Sequence, residues 1–311
     1  MGKASKTKQT TNRRERIAAQ RAAERRRQVR NRILIASGAV VVVIVVVVVF
    51  VVIAVTKPSS SPASKASANG PTGSALAKVV ADTTSVPAST LATVGAGSVT
   101  SPPSSINGTP QTSGGKPEML YIGAEYCPYC AFERWGMVVA LSRFGTFKGL
   151  STTHSSSTDV YPNTPTWTFY KSTYTSKYVA FSSVEETTNQ LASNGQGYVP
   201  LQSPTAAQQA LINKYDAPPY VPSADKGAIP FVYIGGKYLI SGSSALPSVL
   251  SGKSWASIAS SLKDPNNTVA KAVDGTANYI TAAICKTTGN QPSNVCTSSV
   301  TALQSKMPAA G

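Results

Sequence analysis

Two cysteines three residues apart, Cys127 and Cys130 in Glu-Tyr-Cys-Pro-Tyr-Cys-Ala, carry the clearest chemistry in this sequence. A C-x-x-C pair can act as a redox dithiol, hold zinc or attach haem. Thiol–disulfide exchange needs an attacking thiolate, a second thiol to resolve the mixed disulfide, and access. A zinc ribbon needs a second close knuckle, and the other two cysteines, Cys285 and Cys296, have ten residues between them. Haem attachment needs a histidine after the second cysteine, where this chain has Ala131. No metal and no cofactor is therefore expected. His154, the one histidine, lies in a Ser/Thr-rich stretch and reads as a polar surface residue.

The elements around the pair suit exchange. The apolar run Met119 to Ile122 predicts a strand over Glu118–Gly123. After the cysteines, Trp135, Val138, Val139 and Leu141 fall near one face of a helix running from Cys127 to about Phe144. Cys127 then opens a helix, where the dipole and free N–H groups favour a thiolate. Pro128 suits the first turn, which needs no N–H from it. Cys130 lies on the same face and deeper. Glu125, Glu133 and Arg134 flank the pair. Either an acid, Glu125 first, accepts the proton of Cys130, or these charges form a solvated helix face or a local ion pair.

Further on, Gly149–Ser155, Trp167–Tyr170 and Tyr178–Ser182 read as strands, with a polar turn over Ser172–Lys177. Ser203–Asn213 reads as a capped helix. Ala228–Ile234 is an apolar strand carrying Pro230, Gly235-Gly236 a hairpin turn, and Lys237–Ser241 the partner strand. Leu246–Leu250, Ser254–Leu262 and Val269–Ile284 read as helices. Gly289 and Pro292 allow the chain to reverse between Cys285 and Cys296. That pair is either a structural disulfide or a shuttle passing electrons to the first pair.

Charge divides the chain sharply. Residues 1–32 hold twelve Lys/Arg and two Glu, which is +10 of a total of +16. Residues 33–55 follow with no charge and a dominance of valine. About 20 residues of helix cross the hydrocarbon core of a bilayer. A signal peptide's apolar region is shorter, roughly 7–15 residues, so an uncleaved anchor is expected. The basic flank places the N-terminus in the cytoplasm and the rest outside. Abutment on the span makes the basic run a topology signal touching lipid, with no nucleic-acid partner expected. All four cysteines fall on the exported side, which fits a disulfide-permissive compartment. Residues 56–73 form a linker too poor in apolar groups to order. Residues 74–115 form a partly ordered docking segment and loop, and the main domain spans 116–311.

The order β-α-β, an insertion at about 157–225, then β-β-α resembles the thioredoxin fold, which implies an α/β domain with a C-terminal helical extension after a single transmembrane helix. In that fold a cis-proline faces the active cysteines. The resemblance gives that role to Pro230, and the preceding Ile229 then offers backbone groups to an extended substrate. Pro128 and Tyr129, between the cysteines, would touch the same substrate; a Pro-Tyr pair is like that of glutaredoxins. Gly-Ala-Glu-Tyr-Cys-Pro-Tyr-Cys-Ala, Glu-Arg-Trp, Arg-Phe-Gly and Ala-Asn-Tyr-Ile-Thr-Ala-Ala-Ile-Cys resemble an uncharacterised prokaryotic family of membrane-anchored thioredoxin-like proteins.

Two functions follow as expectations. One is a membrane-tethered thiol–disulfide oxidoreductase acting on exported proteins with cysteines, recycled by a membrane redox partner. The other is a redox-inert binding module of the same fold, with the aromatic-rich insertion as its partner surface.

Overall fold

In chain order, the computed structural model begins with helices α1 (Gly73–Thr84) and α2 (Ala88–Val94) and short strands β1 (Ser104–Ser105) and β2 (Thr112–Ser113). Strand β3 (Lys116–Gly123) leads into helix α3 (Pro128–Ser142). Strands β4 (Gly145–Lys148), β5 (Ser151–His154), β6 (Pro165–Thr168), β7 (Thr173–Ser176) and β8 (Ala180–Glu185) come next. They are followed by β9 (Thr187–Leu191), β10 (Tyr198–Pro200) and helix α4 (Ala206–Tyr215). Strands β11 (Phe231–Ile234) and β12 (Tyr238–Ser241) precede helices α5 (Trp255–Ser261), α6 (Thr268–Thr287) and α7 (Ser298–Thr301). The structure describes residues 70–193 and 196–310. The basic stretch 1–32, the apolar stretch 33–55 and the linker as far as residue 69 lie outside the described residues. Among the described residues no helix is long and apolar enough to cross a membrane.

The molecule is a mixed α/β protein organised around β3. One neighbour of β3 is β11, antiparallel, with Met119 opposite Ile234 and Ile122 opposite Phe231. Another is β8, parallel, from Glu118 opposite Ala180 to Gly123 opposite Glu185. Strand β12 continues the sheet beyond β11, and β1 lies outside β12. Strand β2 pairs with the first two residues of β3.

Side chains alternate across β3, as strand geometry requires. Met119 and Tyr121 join the cluster that holds α3 and α6. Leu120 and Ile122 join a second cluster with Tyr215, Val221, Phe231 and Tyr233, against which Leu211 and Ile212 of α4 pack. Both faces are thus covered, so β3 reads as a continuous apolar run.

Helix α3 is buried from Cys130 to Leu141. It has no solvated face, so any charge on it must be paired or neutral. Its contact with α6 depends on Gly136, where a Cβ would stand 2.5 Å from Thr276 Cγ2. The β5–β6 ribbon braces the first half of α3: Thr166 Oγ1 donates to Ala131 O at 2.7 Å and Trp135 Nε1 to Pro165 O at 2.9 Å.

Two sequence expectations need correction. Gly149–Ser155 was expected to follow α3 as the next strand of the sheet. Its ordered part, β5, instead pairs only with β6 in a separate ribbon. The parallel partner of β3 is β8, which lies inside the stretch expected as an insertion. The reason is burial: Ser-Thr-Thr-His in β5 has no large apolar residue, whereas β8 sends Phe181 to one cluster and Val184 to the other. The expected turn at Ser172–Lys177 contains β7, paired with β4. Tyr174 secures it, with its ring 4.9 Å from Phe147 and its hydroxyl donating to Leu141 O at 2.8 Å.

The segment from 74 to 115 is ordered. Val79 and Thr83 of α1 and Leu91 of α2 are buried. Asn278 on α6 donates to the carbonyls of Leu91 at 2.7 Å and Gly95 at 2.8 Å. At the far edge of the sheet, Ser105 bridges to Ala309: Ser105 N–H donates to Pro308 O at 2.6 Å, and Ala310 N–H to Ser105 O at 2.9 Å.

Candidate functional site

Strand β3 ends at Gly123, and a short turn delivers Cys127 to the N-cap of α3. Pro128 occupies the first turn, and Cys130 N–H donates to Cys127 Sγ at 3.3 Å. Both cysteines are free thiols. Cys127 keeps 4 % of its surface exposed and Cys130 none, so only the first sulfur can be approached from solvent.

The Ile229–Pro230 peptide is cis, and Cys127 Sγ lies 3.7 Å from Ile229 O. The loop before β11 and the start of α3 are thereby brought together. Tyr129, about one-third exposed, meets Tyr161 edge-on at 6.0 Å. Tyr126 stacks on Tyr198 at 4.1 Å, and Ser156 N–H donates to Tyr126 O at 2.8 Å. Strand β10 and the 156–164 loop thus wall the dithiol.

The electrostatics separate the two sulfurs. Cys127 is held below the ordinary thiol value, first by the hydrogen bond from the Cys130 side chain, against the opposing effect of burial. The Cys130 and Tyr129 backbone N–H groups and the charge of Arg134 add to the lowering. Burial pushes Cys130 well up, and donation to Cys127 pushes it further, while Arg134 opposes both. The outer sulfur is thereby shifted toward the thiolate and the inner one toward the thiol. That is the division of labour exchange requires.

Arg134 and Glu133 were expected on a solvated helix face or in a local ion pair. Both are wholly buried. Arg134 pairs with Glu185, Nε to Oε1 at 2.9 Å and Nη2 to Oε2 at 2.6 Å, a partner 51 residues away. Its Nη2 also donates to Ala124 O at 2.7 Å, tying the pair to the turn before Cys127. Burial raises Glu185 above the ordinary carboxylate value, and Arg134 counters it. Glu133 accepts from Ser244 N–H at 2.9 Å and Ser244 Oγ at 3.0 Å. Burial still pushes it up to about 7. Glu125 is half-buried; its N–H donates to Thr187 O at 3.0 Å, and its charge adds to the raising of Glu185.

Sequence reasoning missed Glu185 and Ser244. No local signal links Glu185 to Arg134, which lies 51 residues away. His154 is half-buried, with Nδ1 2.8 Å from Ser155 O. Among the described residues no group of three or more His, Cys, Asp or Glu could hold a metal ion.

Cys285 and Cys296 are joined in a disulfide, with Cα atoms 5.6 Å apart. The loop between them reverses through Gly289 and Asn290, both at positive φ. Glycine takes that conformation freely, and asparagine is among the few other residues that tolerate it.

No curated protein and no solved structure matches this chain. A family model does match, over residues 103–286, a span that holds the dithiol, Arg134, Glu185 and Ile229–Pro230. That span covers more than half of the sequence, and the chain belongs to the family described as a domain of unknown function, DUF929.

Proposed function

We propose that this chain is a thiol–disulfide oxidoreductase of thioredoxin-like fold, tethered to a membrane and acting on exported proteins that carry cysteines. One observation carries the reading. Two free thiols sit at the first turn of a buried helix, with the outer sulfur accepting from Cys130 N–H at 3.3 Å. Its anionic form is favoured there by position and by hydrogen bonding.

The cycle uses both sulfurs. In reduction, the Cys127 thiolate attacks a substrate disulfide, forming a mixed disulfide and releasing one substrate thiolate. Cys130 then attacks Cys127 Sγ, closing the Cys127–Cys130 bond and releasing the second substrate sulfur. Oxidation of a substrate dithiol is the same path reversed. No cofactor enters, since both electrons reside in the sulfurs; a membrane redox partner would reset the pair. Ile229 and Pro230, with Pro128 and Tyr129 on the opposite wall, would hold the substrate segment across the sulfur. Support for the tether is the +10 tail followed by 23 uncharged residues. The bonded Cys285–Cys296 pair fits an oxidising compartment.

Trapping tests the proposal. Cys130→Ser should accumulate covalent adducts through Cys127 with exported proteins, released by reductant. A chain that forms no such adducts and catalyses no disulfide transfer to a model substrate would be a binding module instead.

A further inference from the structure

Beneath the dithiol lies a group that the cycle above leaves idle. Strand alternation turns Tyr121 toward α3, where its ring meets Phe169 edge-on at 5.2 Å and Arg134 Cζ stands 5.6 Å from its centroid. The residue is wholly buried, yet its hydroxyl has no hydrogen-bond partner. Arg134 Nη1 has none either, although Nε and Nη2 of the same guanidinium are paired. Buried donors without acceptors are rare in folded proteins and call for an explanation.

Gly123 shows what the phenol faces. A Cβ there would collide with Tyr121 Oη and would stand 3.0 Å from Cys130 Sγ. The phenol and the inner sulfur therefore border the same gap, kept open by the missing side chain. At rest that sulfur is a thiol, which donates to Cys127 and accepts only from the Ala124 backbone N–H. During exchange it becomes an anion.

We propose that Tyr121 is a further catalytic residue of the dithiol, its hydroxyl donating to Cys130 Sγ whenever that sulfur is a thiolate, with Arg134 as the adjacent positive charge. The proposal rests on the exchange reading above and names how its inner sulfur is stabilised. The charge falls on Cys130 in both directions. When Cys130 resolves a mixed disulfide, its thiolate attacks Cys127 Sγ. The Cys127–substrate bond breaks, two electrons pass to the substrate sulfur, and the proton lost by Cys130 ends there. When a substrate thiolate attacks an oxidised Cys127–Cys130 pair at Cys127, Cys130 is the leaving group and later takes up the proton. A hydroxyl with no partner of its own, bordering the same gap, needs only a small shift to meet the charge as it appears, and in a water-excluded site such a donor is worth far more than in water. Burial, which holds the Cys130 thiol far above its ordinary value, makes this the step in most need of help.

The experiment follows a thionitrobenzoate mixed disulfide on Cys127 of the full chain in a stopped flow, where the first release reports attack by Cys127 and the second reports resolution by Cys130. Tyr121→Phe keeps the ring packing and removes the hydroxyl. Resolution near neutral pH should slow about tenfold, and its pH midpoint should rise by about one unit, since one unit of pKa is tenfold in thiolate. The Cys127 phase should keep its rate. Site-specific 3-fluorotyrosine at position 121 retains a stronger donor and should move the midpoint down. An unmoved resolution midpoint in folded Tyr121→Phe overturns the proposal. If that variant does not fold, an unmoved midpoint with fluorotyrosine overturns it. Failure of the wild-type chain to form any mixed disulfide at Cys127 sinks the exchange reading itself, and this proposal with it.

Discussion

Cys127 stands at the N-terminus of α3, whereas Cys285 stands in the last turns of α6. Both pairs are buried, with Cys130 and Cys285 wholly so. Burial therefore does not distinguish them. Helix polarity does. Free N–H groups and the positive end of the dipole surround the first pair and favour a sulfur anion. Carbonyl groups surround the second: Cys285 O accepts from Asn290 N–H at 2.6 Å and from Thr288 Oγ1 at 3.2 Å. A thiolate there would face the negative end, so the bonded, uncharged state suits the site. One residue type thus stands as a free thiol at one helix end and as a cross-link at the other.

The largest expected effect tests that division. Cys127→Ser should reduce exchange with a model disulfide to background, while the double variant Cys285→Ser/Cys296→Ser should retain it. A folded double variant that loses exchange would make the second pair a shuttle and would break the contrast. Next comes the charge that supports the first pair. Glu185→Gln leaves Arg134 buried without its counter-ion and should cost about 3–5 kcal/mol in urea unfolding. A negligible cost would mean that the Arg134–Glu185 pair does not hold this end of α3 in place. The double serine variant is expected to cost about 3 kcal/mol in the same assay, the value for a loop of this length. A loss near zero would remove the cross-link role.

The smallest effect concerns pH. Glu133, one turn beyond Cys130, has a folded pKa raised from 4.5 to about 7. Its bound proton therefore stabilises the fold fully below pH 4.5, and that contribution is lost as pH rises through about 7. Glu133→Gln, which can still accept from Ser244 N–H and donate to its hydroxyl, should make stability fall less steeply with pH across that window. Asp274, on α6 and pushed from 3.8 up to about 8, contributes its own slope across the same window and on to about pH 8, so the variant should lose the Glu133 part and keep that of Asp274. An unchanged profile would mean that burial does not hold a proton on Glu133.

What could be read from the sequence was local. An apolar run ending in C-x-x-C, followed by helical spacing, located β3, the dithiol and α3 to within a few residues. Gly235-Gly236 between apolar runs located the β11–β12 hairpin. What escaped depended on distant pairing. Strand β8 is half serine and alanine by sequence, and it joins the sheet only because β3 lies alongside it. Arg134 was visible as a charge near the cysteines, but its partner is 51 residues away, and no spacing rule connects them. The two-residue strands β1 and β2 carry no periodicity at all. The orphan hydroxyl of Tyr121 is invisible in a run that reads as plain core.

The bridge between Ser105 and Ala309 has a consequence for how such chains could crowd together. Strand β1 is the outermost strand on its side, and an uncovered outermost strand is a template on which another chain can add itself. The C-terminal tail already lies there, filling the backbone positions that a stranger would use. Trimming the last few residues would leave the dithiol intact but would expose that border. Copies brought close together would then be able to pair at their sheets, a contact that the tail's own hydrogen bonds to Ser105 now pre-empt.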